Sequence, residues 1–253
     1  MKTCQVSVQL ETLKKVFGEN VALDIDTFTI NSGDVLGLVG NNGAGKTTLF
    51  RLILDLLKPN TGHVTIKTED AEYITSNCED WKTFTGAHID SGFLIDYLTP
   101  DEYFSFIGKV NNISKEEIDE QLKRYEDFMN GEVCGQNKLI RNLSAGNQQK
   151  VGIIAALLNQ PSLLILDEPF NFLDPSSQLA MKYLLEDYNK QTGATILVSS
   201  HNLTHTLDIC TRVALLEHGR IIKDYNKEDS DMIAEIEQYF EGNVHHEAIA
   251  KEA

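Results

Sequence analysis

Gly40-Asn41-Asn42-Gly43-Ala44-Gly45-Lys46-Thr47 has the spacing G-x-x-x-x-G-K-[ST], which suits the binding of phosphate groups. Glycines let the backbone curl until successive N–H groups point at phosphate oxygens, and the start of a helix adds partial positive charge. Lys46 supplies a cation for β- and γ-phosphates, Thr47 a hydroxyl for Mg²⁺, and Thr48 a donor near an α-phosphate. A glycine-rich turn with a solvated lysine is the bland alternative. It does not account for the apolar run Val35 to Val39 before the loop or for the helical spacing of Leu49, Leu52, Ile53, Leu56 and Leu57 after it.

Asp167 and Glu168 end a second apolar run, Leu163 to Leu166, at the kind of sheet edge where α/β proteins place their ligands. Asp167 is suited to hold Mg²⁺ through its water shell, and Glu168 to orient or deprotonate an attacking water. Alone, the pair would also fit a charged strand end before Pro169; beside a phosphate loop the chemical reading is the better one. His201 follows a third apolar run, Thr195 to Ser199, and reaches a γ-phosphate if the strands are parallel. The other histidines, including His245 and His246, are read as ordinary residues. Lys46, Glu168 and His201 are thus the catalytic candidates. Leu143 to Lys150 begins a helix with Ser144 as N-cap, and Gly146 inside it costs helix stability. Exposed N–H groups beside a serine hydroxyl make a second phosphate site that has no lysine of its own.

These groups require a particular frame. Gln5 to Leu10 and Val21 to Ile30 alternate as antiparallel strands, and the three apolar runs read as central parallel strands. A helix is expected over Thr47 to Leu57, ended by Lys58-Pro59-Asn60-Thr61-Gly62. From Tyr97 to Ile140 the pattern turns helical. Thr99 with Glu102 and Ser114 with Glu117 form capping boxes, and Ile118, Leu122, Tyr125 and Met129 form one stripe. A helix over Val151, Ile154, Ala155 and Leu158 follows Ser144, and a closing hairpin is expected at Glu217-His218-Gly219.

The 253 residues suffice for one core with a subdomain. A net charge of −16, from 38 acidic and 22 basic residues, disfavours nucleic acid and anionic membrane surfaces as direct partners. Cys4, Cys78, Cys134 and Cys210 have no paired spacing, no apolar leader opens the chain, and no window approaches the ~18 apolar residues that cross a bilayer. A cytoplasmic protein is expected, with any membrane role carried by a partner.

Taken together, the residues resemble the nucleotide-binding domain of ABC ATPases over Val6 to Tyr225. GNNGAGKT matches the family's Walker A motif, LSAGN its signature, LLILDE its Walker B motif, NFLDP its D-loop and SSH its H-loop. The resemblance implies an α/β fold: a P-loop NTPase core with a mixed, mainly parallel sheet, an N-terminal antiparallel β subdomain and an inserted helical subdomain. The domain would span residues 1–226 with the insertion at about 96–150, leaving a charged tail over 227–253 that is helical in part. It implies ATP and Mg²⁺ as ligands, hydrolysed between two head-to-tail copies or between this chain and a homologous ATPase subunit. In that arrangement Ser144 and Gly146 face the partner's phosphates, and Asp174 crosses the interface. Phe17 matches the aromatic that stacks on adenine. The resemblance further implies attachment to the inner face of the cell membrane through a separate permease.

The chain departs from the family at Ala145 and Asn147 of the signature, changes that leave Ser144 and Gly146 in place. It departs further at Asp90, which stands in the slot of the Q-loop glutamine; a carboxylate there approaches Mg²⁺ or water but repels ATP. Acidic residues at this place resemble those of peptide-antibiotic exporters, which favours export. An ABC ATPase of a soluble remodelling assembly is the alternative. It lacks support here from cluster-like cysteine spacing, a long coiled coil or tandem domains.

Overall fold

A computed structural model describes residues 4–201 and 203–229, together with Met232, Glu235, Ile236 and Tyr239. The tail expectation, with His245 and His246, lies mostly outside these described residues. In chain order the elements are β1 (Ser7–Phe17), β2 (Asn20–Ile30), β3 (Val35–Val39), α1 (Lys46–Ile53), β4 (Thr61–Lys67), β5 (Glu72–Ile74) and β6 (Thr85–His88). Then come α2 (Pro100–Val110), α3 (Lys115–Arg124), α4 (Glu126–Met129), α5 (Ala145–Leu157), β7 (Leu163–Leu166) and α6 (Pro175–Thr192). β8 (Thr195–Ser200), α7 (Leu203–Ile209), β9 (Arg212–Glu217) and β10 (Arg220–Asn226) complete them.

The strands form two sheets, β2-β1-β4-β5 and β10-β9-β3-β8-β7-β6. The first is antiparallel throughout. In the second, β9–β3, β3–β8, β8–β7 and β7–β6 are parallel and only β10–β9 is antiparallel. The central strands β3, β7 and β8 are buried at every position, so β3 and β7 appear in the sequence as unbroken apolar runs and β8 as one from Ile196 to Val198.

Their two faces feed different cores, because alternate side chains point to opposite sides of a sheet. Leu36, Leu38, Leu163, Ile165, Leu197, Ala214 and Leu216 pack with the first sheet and with Leu49, Phe50, Leu52 and Ile53 of α1. Val35, Val39, Leu164, Leu166, Ile196, Val198, Val213 and Leu215 pack instead with the helical layer, including Phe104, Phe128, Ile153, Leu157, Met181 and Leu185. Fully burying each such side chain stabilises the fold by about 1.5–3 kcal/mol. Met232 and Ile236 join the helical core, and Tyr239 donates to Glu217 at 2.7 Å.

Both capping boxes form, Thr99 with Glu102 and Ser114 with Glu117. Three expectations are corrected. α1 stops at Ile53 rather than Leu57, because Asp55 turns left-handed at φ 52° and the N–H groups of Leu56 and Leu57 fold back to the carbonyl of Arg51. The stripe from Ile118 to Met129 divides into α3 and α4 at Tyr125, whose ψ of 10° interrupts the helix. The closing hairpin turns on two residues, His218 (φ 45°) and Gly219 (φ 77°), the left-handed pair whose twist suits adjoining strands.

Helix α5 approaches β6 so closely that a Cβ on Gly152 would lie 2.2 Å from the His88 ring. Gly152→Ala is therefore expected to lower unfolding free energy by about 1–3 kcal/mol through overpacking. Denaturant titration checks this: His88→Ala combined with Gly152→Ala should recover part of the loss, and an unchanged midpoint in the single variant would contradict the packing.

Candidate nucleotide site

Parallel pairing carries the chemistry to one sheet edge. β3 ends at Val39 beside Ser200 of β8, and Leu166 of β7 lies beside Val198. The phosphate loop, Asp167-Glu168 and His201 therefore leave adjacent strand ends. The loop curls through left-handed glycines; Gly45 has φ 112°, and a Cβ there would come within 2.7 Å of the Ala22 carbonyl. The loop is held from the far side by the Gly219 N–H, which donates to the Ala44 carbonyl at 2.9 Å.

Lys46 is buried, and its Nζ donates to the carbonyls of Gly40 at 2.6 Å and Asn41 at 3.2 Å. It lies 3.7 Å from Glu168 Oε1. Burial draws its pKa below the ordinary lysine value, and the carboxylates of Glu168 and Asp167 oppose that shift. Thr47 Oγ1 donates to Asp167 Oδ2 at 2.5 Å, while Ser199 donates to Asp167 Oδ1. The same Ser199 hydroxyl accepts from the Glu168 N–H at 2.8 Å. Glu168 Oε2 accepts from His201 twice, from Nδ1 at 2.8 Å and from the backbone N–H at 3.3 Å. Glu168 itself sits at φ 49°, a left-handed conformation that costs about 1–3 kcal/mol and persists only where surroundings enforce it.

Asn42, Gly43, Ala44, Gly45, Lys46, Thr47, Thr48 and Glu168 line one cavity of about 530 Å³, within the range of small-molecule sites. Gly40 and Asn41 serve it from behind by accepting from Lys46. A cleft of about 640 Å³ between α4 and α6 contains no part of the phosphate loop. Phe17 does not line the phosphate cavity; with Thr48 it lines the adjoining one, its ring half-exposed and Lys15 Nζ 5.1 Å from its centroid.

Ser144, Gly146 and Asp174 lie outside the cavity lining. Ser144 caps α5 by accepting from the Asn147 N–H at 3.2 Å. Gly146 is pressed against the Phe172 carbonyl, which a Cβ would meet at 2.6 Å. Asp174 caps α6, accepting from the N–H and hydroxyl groups of Ser176 and Ser177, which hold its carboxyl well below the usual range.

Asp90, the remaining candidate ligand for Mg²⁺, has partners of its own. Its carboxylate pairs with Arg51 at 3.2 Å and accepts from the Gly92 N–H at 2.8 Å, beside the cavity that Phe17 lines. The expected repulsion toward ATP is thus offset by a guanidinium on α1.

Two positioning residues escaped the sequence. Ser199 reads there as the end of an apolar run and the first letter of SSH, with no role of its own. Gln149 donates to the Glu168 carbonyl at 3.3 Å and meets the buried His88 Nε2 at 3.1 Å. Since Gln149 Nε2 faces a carbonyl, its Oε1 faces His88, which fixes the proton on His88 Nε2. Burial lowers the His88 pKa, and the Gln149 bond opposes that shift.

A phosphate loop, a carboxylate pair and a capped glycine helix start on this sheet define an ATPase cassette of the P-loop kind. The ABC transporter family model matches residues 23–171, more than half of the chain, and the chain belongs to that family. The bacitracin transport ATP-binding protein BcrA of Bacillus licheniformis is 32% identical over 86% of this chain and 69% of its own length. The methionine import ATP-binding protein MetN of Rhizobium johnstonii is 31% identical over 86% of this chain and 60% of its own. Among solved structures, an ATP-binding subunit of an ABC transporter superposes with a TM-score of 0.77 at 26% identity, over 89% of this chain and 92% of that one. The chain is accordingly the ATP-binding, ATP-hydrolysing subunit of an ABC transporter.

Ser199→Ala removes a donor to Asp167 and leaves the Glu168 N–H without its acceptor. Unfolding free energy is expected to fall by about 1–3 kcal/mol, seen as a lower urea midpoint at unchanged slope.

Proposed function

We propose that this chain powers a transporter whose membrane-spanning permease is a separate polypeptide, hydrolysing MgATP in sites shared by two head-to-tail copies. The carrying observation is that the site splits into two halves. Lys46, Thr47, Asp167, Glu168 and His201 are held together at one sheet edge by hydrogen bonds and an ion pair, whereas Ser144 and Asp174 cap α5 and α6 and Gly146 packs on the Phe172 carbonyl. That second group has helix-start N–H donors and a hydroxyl but no cation, so it completes a phosphate site only when another copy supplies one.

Thr47 and Asp167 offer converging hard oxygens that suit Mg²⁺. Bound there, the ion would neutralise charge on the β- and γ-phosphates. Lys46 adds a fixed cation, and Phe17 offers a ring face at the adjoining cavity for the adenine. Glu168, clamped by His201, is the group that orients and accepts a proton from the attacking water. His201 holds Oε2 and leaves Oε1 toward the phosphate loop.

No described helix is long and apolar enough to cross a membrane, in keeping with a permease on another chain and a place on the inner membrane face. Asp90 is the residue that favours export. The bacitracin-transport and methionine-import relatives are nearly equal in identity and leave direction to the permease.

Glu168→Gln should lower ATP turnover by about a hundredfold or more while retaining ATP, and should accumulate a dimer in MgATP. Lys46→Ala should lose both binding and turnover. Sedimentation with nucleotide and a phosphate-release assay check these outcomes; a Glu168→Gln protein that stays monomeric and turns over at the parental rate would overturn the shared site.

A further inference from the structure

His88 ends the edge strand β6 with a polar ring in the interior, 4% exposed. Helix α5 makes room for it. A Cβ at Gly152 would lie 2.2 Å from both Cε1 and Nδ1 of the ring, so only glycine leaves the notch in which the imidazole sits. Glycine inside a helix and a polar ring inside a core both cost stability, and the fold carries the two together here.

The same residue reaches both carboxylates of the site. Its carbonyl accepts from the Asp167 N–H at 2.9 Å. Its Nε2 meets Gln149 Oε1 at 3.1 Å, and Gln149 Nε2 donates in turn to the Glu168 carbonyl at 3.3 Å. An amide oxygen only accepts, so His88 supplies the hydrogen and its ring decides which way the Gln149 amide faces. Turned over, that amide would set its oxygen against the Glu168 carbonyl, one acceptor facing another.

Glu168 depends on such tethers because its left-handed backbone, at φ 49°, persists only where neighbours impose it. Its N–H is held by Ser199, and its carbonyl accepts from the Asn171 N–H at 3.1 Å as well as from Gln149. Ser199 belongs to the adjoining strand and Asn171 to the turn itself. Gln149 is the tether that comes from α5, and His88 fixes it.

We propose that His88 is a positioning residue for ATP turnover: through the Gln149 amide it holds the Glu168 backbone so that Oε1 stays toward Lys46 and the phosphate loop. This inference rests on the reading of Glu168 as the group that accepts the water's proton.

The test measures phosphate release and ATP binding on the full chain carrying His88→Leu, Gln149→Met, both together, or His88→Gln. His88→Leu and Gln149→Met should each lower kcat per ATP-binding site by about tenfold while KM moves by less than about twofold, because a displaced base costs turnover rather than nucleotide affinity. The double variant should match the Gln149 single variant, since one tether is lost only once. His88→Gln, whose amide N–H extends as far as Nε2, should keep most of the parental kcat. His88→Asn stops short of Gln149 and serves in place of His88→Leu if that variant does not fold. A merely structural histidine would lower the fraction of chains that bind ATP and leave kcat per site unchanged, and that result would overturn the proposal. So would additive losses in the double variant, or a His88→Gln protein as slow as His88→Leu. In each of these cases a slow Glu168→Gln protein leaves the reading of Glu168 standing; a Glu168→Gln protein with parental turnover would remove both.

Discussion

The carboxylate of Asp167 is held at both oxygens, by Thr47 from the start of α1 and by Ser199 from β8. A nearly buried carboxylate is tolerable only when its lone pairs are met, and these two hydroxyls meet them. Both donors arrive because β3, β8 and β7 are parallel and in register: Val39 lies beside Ser200, and Leu166 beside Val198. A shift of one residue in β8 would turn Ser199 to the opposite face of the sheet and replace a hydroxyl with an apolar neighbour. The apolar alternation that fills two cores and the polar contact that assembles the site therefore specify the same register.

The phosphate loop depends equally on what lies above it. Gly45 passes under the Ala22 carbonyl, and Gly219 of the closing turn donates to Ala44. The hairpin is itself anchored by Arg212, which pairs with Asp224 at 2.7 Å and with Asp34 at 3.1 Å. Its guanidinium also stands over Phe28 of β2, 5.1 Å from the ring centroid. The first sheet and the hairpin thus clasp the loop, so its N–H groups are preorganised rather than gathered by the ligand.

Much of this was legible because burial on both faces leaves a strand no room for polar residues. β3, β7 and most of β8 appear as apolar runs, and the motif residues sit at their ends. The edge strand β6 left no such trace: Thr85-Gly86-Ala87-His88 is short and mixed, and Gly86 serves close approach, since a Cβ there would meet the Ala156 carbonyl at 2.1 Å. The early end of α1 was hidden because Leu56 and Leu57 continue the helical spacing while the backbone has already turned at Asp55. Ser199, Gln149 and the Arg51 partner of Asp90 were hidden for another reason. Their partners lie 32, 19 and 39 residues away, and only the folded register makes those distances short.

The turn from Glu168 to Asp174 is where strain and chemistry meet. It is left-handed at Glu168 and again at Phe172, and the first turns of α5 touch it at both places. Gln149 donates to the Glu168 carbonyl, and Gly146 receives the Phe172 carbonyl against its backbone. Two contacts from one helix end to one short turn leave little freedom for either to move alone. A displacement of the α5 start would therefore be felt at the Glu168 backbone directly, with no long chain of intermediates. Ser144 caps the same helix start and α5 packs into the helical layer, so a displacement of either is passed to Glu168 by a short physical route. The strain stored at Glu168 makes its position sensitive to that push, since a left-handed glutamate stays in place only while its tethers hold.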